Sequence, residues 1–230
     1  MRKIFLFIAA MITLNLMAEN SHNILYNDIC YQVQYSGPLY WATVINSDYD
    51  FTEIESTYDG DVLLPEKVPY SVYEYTVTTI AMYAFNESDI TSIELPSKLD
   101  RILYHAFNGC DKLTSITCRR FEDLGHNGVV YPLLQSFNAG TLSYEDIPAS
   151  DVFGGVSSSI PVYVPADVVT AYKNSPWGSY FTNILPITTT ALDQTNEEMK
   201  KCGNEKILRD GQIYILRDGK MYNVMGGEIR

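Results

Sequence analysis

Apolar residues fall in short runs along this chain, and one arrangement of them occurs twice. Between Val77 and Pro96 the apolar positions are Ile80, Ala84, Phe85, Ile90, Ile93 and Leu95. Between Leu99 and Cys118 the same places hold Ile102, Ala106, Phe107, Leu113, Ile116 and Cys118. The first three recur 22 residues on and the last three 23, with the extra residue in the turn. Asn86, Thr91 and Ser92 also recur, as Asn108, Thr114 and Ser115. Self-similarity at a period of about 20 to 30 residues marks a repeat architecture, in which each unit buries its apolar face against its neighbours. Within a unit, Ile90, Ile93 and Leu95 are expected to point inward from a short strand, and Ser92 and Glu94 toward solvent. Ala84 is small enough to let Phe85 lie against the adjacent unit. Asn86 to Asp89 is turn-like.

The flanks are strand-rich. Ile24–Tyr26, Ile29–Tyr35 and Trp41–Ile45 read as strands, separated by Ser36-Gly37-Pro38 and Asn46-Ser47-Asp48. They are expected to form an N-terminal β cap over 19–60 that covers the first unit. Asp59-Gly60 reads as a turn, and Val62-Leu63-Leu64-Pro65 repeats the ending Ile93-Glu94-Leu95-Pro96. The repeat array is placed at 61–187, with Val68 to Val77 as an elaborated first unit. Residues 123–150, with three Gly and two Pro, read as an insertion. Phe153 sits in a degenerate unit, and Pro161–Pro165 is the next recognisable strand. Ala166 to Lys173 reads as a short helix presenting Val168, Val169 and Tyr172, with Pro176 beyond its end. Trp177 and Phe181 are expected to plug the core. Residues 188–205 read as a linker. Leu208–Tyr214 and Leu216–Tyr222 form a smaller repeat, each with an Asp-Gly turn signal, and predict a C-terminal β-hairpin tail over 206–230, a small antiparallel meander.

The two copies have the forms I-x-x-x-A-F-x-x-x-x-I-x-x-I-x-L-P, from Ile80, and I-x-x-x-A-F-x-G-C-x-x-L-x-x-I-x-C, from Ile102. Both resemble the BspA-like leucine-rich repeats of bacterial surface proteins. The first copy departs from the family pattern at Ser88, with one residue fewer. The second has Cys118-Arg119 where an aliphatic residue and Pro are usual. The ending Tyr163-Val164-Pro165, followed by Ala171-Tyr172-Lys173 and Trp177, resembles the family's terminal unit. The resemblance implies a short, β-rich α/β leucine-rich-repeat solenoid of few coils.

Composition narrows the possible functions. A formal net charge of -12 argues against non-specific binding to nucleic acid or anionic membranes. Met1–Ala18 has a basic start, an apolar centre and a small-residue end, as a signal peptide over 1–18 does. No second long apolar run follows, so no membrane span is expected in the mature chain. There is no Gly-rich phosphate loop and no Gly-x-Ser-x-Gly elbow. Of the three His, His105 takes the place of Tyr83 in the repeat and reads as a surface residue. His126, near Glu122 and Asp123, is a weak acid–base or metal candidate. The pairs Glu53/Glu55 and Asp59/Asp61 lack a complete calcium loop. Cys110 and Cys118 occupy inward repeat positions and are expected to be free thiols, while Cys30 and Cys202 are left open.

No catalytic, cofactor or metal site is expected. The expected function is that of a secreted or cell-surface protein that binds a host or microbial protein or glycan. The outward strand positions Leu63, Glu94, Thr117 and Tyr163 are the candidate ligand-binding row. The alternatives are a non-binding structural or assembly component of the cell envelope, and a hydrolase using His126.

Overall fold

The computed structural model describes residues 21–47 and 56–187 in full, and the backbone of four strands between 204 and 229. The expected signal peptide, Glu53, Glu55, Cys202 and almost all of the expected linker lie outside the described residues. The chain divides into two compact units, Met1–Pro186 and Ile187–Arg230.

The first unit begins with an antiparallel meander of β1 (Ser21–Tyr26), β2 (Ile29–Ser36) and β3 (Leu39–Val44). Asn27 and Asp28 both take positive φ, as a two-residue hairpin turn requires. Beyond it come β4 (Asp59–Leu63), β5 (Lys67–Tyr70), β6 (Tyr73–Ile80), β7 (Asp89–Leu95), β8 (Arg101–Leu103) and β9 (Ser115–Cys118). They are followed by β10 (Leu133–Asn138), β11 (Ser143–Asp146), β12 (Pro161–Val164), α1 (Val169–Lys173), α2 (Pro176–Tyr180) and β13 (Asn183–Pro186). From β6 to β12 the chain crosses repeatedly between two sheets. One has the order β1-β2-β3-β6-β8-β10-β11, with β5 also on β6, and the other β13-β12-β9-β7-β4. The repeat strands pair in parallel within each sheet. The meander is continuous with the repeats, because β3 pairs in parallel with β6.

One apolar core lies under both sheets. Ile80, Ile102 and Leu134 enter it from the first sheet, and Ile93, Leu95, Ile116, Cys118, Val162 and Val164 from the second. At the corner between sheets, Phe85, Phe107 and Phe153 stack with centroids 5.2 and 5.3 Å apart and planes within 5°. Each sits two residues before a backbone in the left-handed region, at Glu87 (φ 56°), Gly109 (φ 77°) and Gly155 (φ 89°). The turns are close-packed here. A Cβ on Gly109 would come within 2.7 Å of Glu87 Cγ, and one on Gly155 within 3.2 Å of Gly109 Cα. Trp177 closes the far end beside Phe153 and donates from Nε1 to the Pro132 carbonyl at 3.1 Å.

Several local expectations differ from the structure. Asp59-Gly60 lies inside β4 and is not a turn; the β4–β7 register shifts between Gly60, at φ +67°, and Asp61, leaving Thr91 of β7 as the extra residue. Ala166–Lys173 is helical to its expected end, as a 3-10 turn followed by α1; Pro176, beyond that end, opens a further helix, α2, capped by Ser175. Residues 123–150 are not one inserted loop. Leu133–Gln135 pairs with Arg101–Leu103, and Leu134 occupies the place of Ile102 in the core. The added chain lies either side of that pairing, before β10 and in the β10–β11 hairpin. The second unit shows β14 (Asn204–Arg209), β15 (Gln212–Arg217), β16 (Lys220–Asn223) and β17 (Glu228–Ile229) as a four-stranded antiparallel sheet.

Candidate ligand-binding face

The second sheet brings the four candidate residues together. Leu63 pairs with Glu94, Glu94 with Thr117, and Thr117 with Tyr163. The row continues to Leu185 on β13. Alternation explains it, since Val62, Ile93, Ile116 and Val162 point into the core and the next residue on each strand points out. Leu63 is 64% exposed, and Glu94, Thr117 and Tyr163 are half-buried.

Sequence reasoning missed the partner of Glu94. Arg119 Nε, just past the end of β9, donates to Glu94 Oε1. The signal available was Arg119 standing where the repeat pattern has Pro. The face therefore offers one ion pair between apolar and hydroxyl side chains. A second polar row uses Asp61, whose carboxylate accepts from Ser92 at 2.6 Å and Thr91 at 2.7 Å. Those bonds hold it below the usual carboxylate range.

His126 is not isolated. Its Nε2 lies 2.7 Å from Asp100 Oδ1, and Asp100 also accepts from Arg101 Nη2 at 2.7 Å. Behind them Arg120 is wholly buried. Its Nη1 donates to the carbonyls of Leu99 and Asp100, at 3.1 and 3.0 Å, and its Nη2 to Val129 at 3.1 Å. Asp123 accepts from the backbone N–H of Gly125, His126 and Gly128. These contacts fasten the loop before β10 to the body of the repeat. His105 packs its ring on Tyr104 at 3.8 Å, and burial lowers its pKa. Among the described residues, no group of three or more His, Cys, Asp or Glu is placed to hold a metal ion.

Cys30, Cys110 and Cys118 are buried free thiols. Cys110 donates to the Phe85 carbonyl at 2.9 Å, and Tyr172 donates its hydroxyl to Cys118 Sγ at 3.0 Å. Among the described residues no helix is long and apolar enough to cross a membrane.

Residues 70–175 match the family described as BspA type Leucine rich repeat region, in six copies. No curated protein matches the chain, and no solved structure does. The matched span takes in both sequence copies, the stacked Phe corner and strands β6 to β12. Residues 70–175 of this chain belong to the BspA-type leucine-rich repeat family.

Proposed function

We propose that this is a secreted or cell-surface recognition protein that binds a protein or glycan through the face bearing Leu63, Glu94, Thr117 and Tyr163. A short repeat solenoid displays the face, with the meander of β1 to β3 as its cap. The observation that carries the reading is the single row these four residues form across adjacent strands. Neighbouring strands sit about 4.8 Å apart, so such a row suits an extended ligand. Membership of a repeat family built on stacked units, and the basic-then-apolar start of the chain, support the same reading.

The test is binding of the purified protein to immobilised matrix proteins, mucins and glycans, beside a variant carrying Leu63→Ala, Glu94→Lys and Tyr163→Ala. Saturable binding, weakened at least about tenfold in the variant, is the expected result. Binding unchanged in the variant removes the assignment of the face. No binding across the panel favours a structural role in the cell envelope.

A further inference from the structure

A different surface, on the first sheet, gathers the exposed rings of Tyr35 and Tyr73 around Tyr40. Core-facing alternation runs along β2 through Tyr31 and Val33 to Tyr35, and along β3 from Val44 and Ala42 to Tyr40. On β6 it runs from Val77 through Tyr75 to Tyr73. The core ends before these three strands do. Tyr31, Val33, Ala42, Val44 and Val77 are fully buried, whereas Tyr35 is 39% and Tyr73 48% exposed. The overhanging rings meet in a row. Tyr40 stacks with Tyr73 at 4.6 Å and 16°, and with Tyr35 at 6.0 Å and 26°. Tyr75 meets Tyr40 edge-on at 5.4 Å and so supports the row from the core side. Leu39 and Val72, at the two adjacent hairpin ends, are 66% and 84% exposed.

The charge pattern around the row is specific. Residues 29–44 contain no Asp, Glu, Lys or Arg. The hairpin of β5 and β6 contains only Lys67 and Glu74, which pair with one another at 3.0 Å. The ligand chemistry that fits is uncharged, with C–H faces to lie on the rings and hydroxyls to bond the phenols. Aromatic faces carry negative potential and favour the polarised C–H bonds of a sugar ring. The rings are already fixed against one another, so little side-chain freedom is lost on binding. The chain's net charge of -12 disfavours sulfated or sialylated sugars at any nearby surface.

We infer that the stacked tyrosines Tyr35, Tyr40 and Tyr73 form a second binding site, for a neutral oligosaccharide. This site lies on the first sheet and shares no residue with the face proposed above on the second.

The experiment applies the purified protein to an array of oligosaccharides, each immobilised in neutral and in sialylated or sulfated form. It is run beside Tyr35→Ala, Tyr73→Ala, the double variant and Tyr73→Phe. Thermal unfolding followed by circular dichroism checks that each variant is folded. Tyrosine ring NMR signals are followed as a soluble neutral oligosaccharide from the array is added. Neutral glycans are expected to bind better than their anionic forms. Each Ala variant should weaken binding roughly tenfold, Tyr73→Phe should retain most of it, and ring signals should shift. The variant of the second-sheet face should still show the shifts of the Tyr35, Tyr40 and Tyr73 ring signals with the soluble neutral oligosaccharide, which separates this site from that one. Unchanged glycan binding in the folded double variant overturns the inference, as does preference for the anionic forms. Loss only of binding to an immobilised protein makes the row a protein interface, and also overturns it.

Discussion

At Asp100, burial and hydrogen bonding act in opposite directions on one carboxylate. Burial raises its pKa, but the hydrogen bonds and charges of Arg101 and His126 outweigh burial and leave it lowered. A carboxyl group whose folded pKa is depressed stabilises the fold above its unfolded value, about 3.9, and loses that contribution as pH falls through the folded value. The urea midpoint is therefore expected to drop between about pH 5 and pH 3. Asp100→Asn should lower the midpoint at the higher pH and flatten the dependence. An unaltered slope would show that the carboxylate is not engaged. The buried thiols give a second prediction at this scale. Burial raises Cys110 to about 11 and also raises Cys118. Neither holds appreciable thiolate at neutral pH, so a thiol reagent should label both only after denaturation, read by mass spectrometry. Labelling of the native protein at the unfolded rate would contradict the packing. Arg120 shows what residue type conceals. Arg is almost never fully buried unless paired, so residue type alone gives no reason to place Arg120 inside. The only hint was the Arg119-Arg120 pair where the repeat pattern turns toward Pro.

The corner of stacked rings is the element that holds successive units in register. Phe107 lies between Phe85 and Phe153, so it touches both neighbours, whereas Phe85 and Phe153 each have one partner of this kind. Phe107→Ala is expected to cost about 3–5 kcal/mol in denaturant unfolding. The turns behind the rings are as restrictive. Gly155→Ala combines a left-handed backbone with a Cβ 3.2 Å from Gly109 Cα, and should cost about 1–3 kcal/mol by the same measurement. A neutral result there would mean that the two turns can separate freely. This corner was legible in the sequence because Ile, Ala-Phe and the strand residues keep their spacing in both copies. The third ring, Phe153, was legible only in part. Its unit starts at Leu134, and the β10–β11 hairpin separates that residue from Val152-Phe153. Period alone could not bridge the gap. Leu134 itself sits beside Gln135 and carries no strand alternation that stands out. The outward row was readable from alternation, whereas the tyrosine row was visible only as an abundance of Tyr. Its members come from three strands that pairing alone brings together.

On the scale of the first compact unit, the meander and the repeats share one sheet and one core. A chain beginning at residue 56 would leave β6 without β3 and remove Tyr31, Val33, Ala42 and Val44 from the core. Such a chain is expected to lose its cooperative thermal transition and to aggregate on size-exclusion chromatography. A monomeric, cooperatively melting product would show that the repeats fold without the meander. The parallel ladder of the second sheet has a further consequence. Each strand contributes one residue to the Leu63–Glu94–Thr117–Tyr163 row, and its inward neighbours stay in the core. Gain or loss of one unit in a related chain would thus change the reach of that row by a single step, about 4.8 Å. The interior would keep the same composition. On the proposed function, ligand size would be selected in discrete increments, as a gauge with fixed graduations measures length, while the chemistry at each graduation could vary independently of stability.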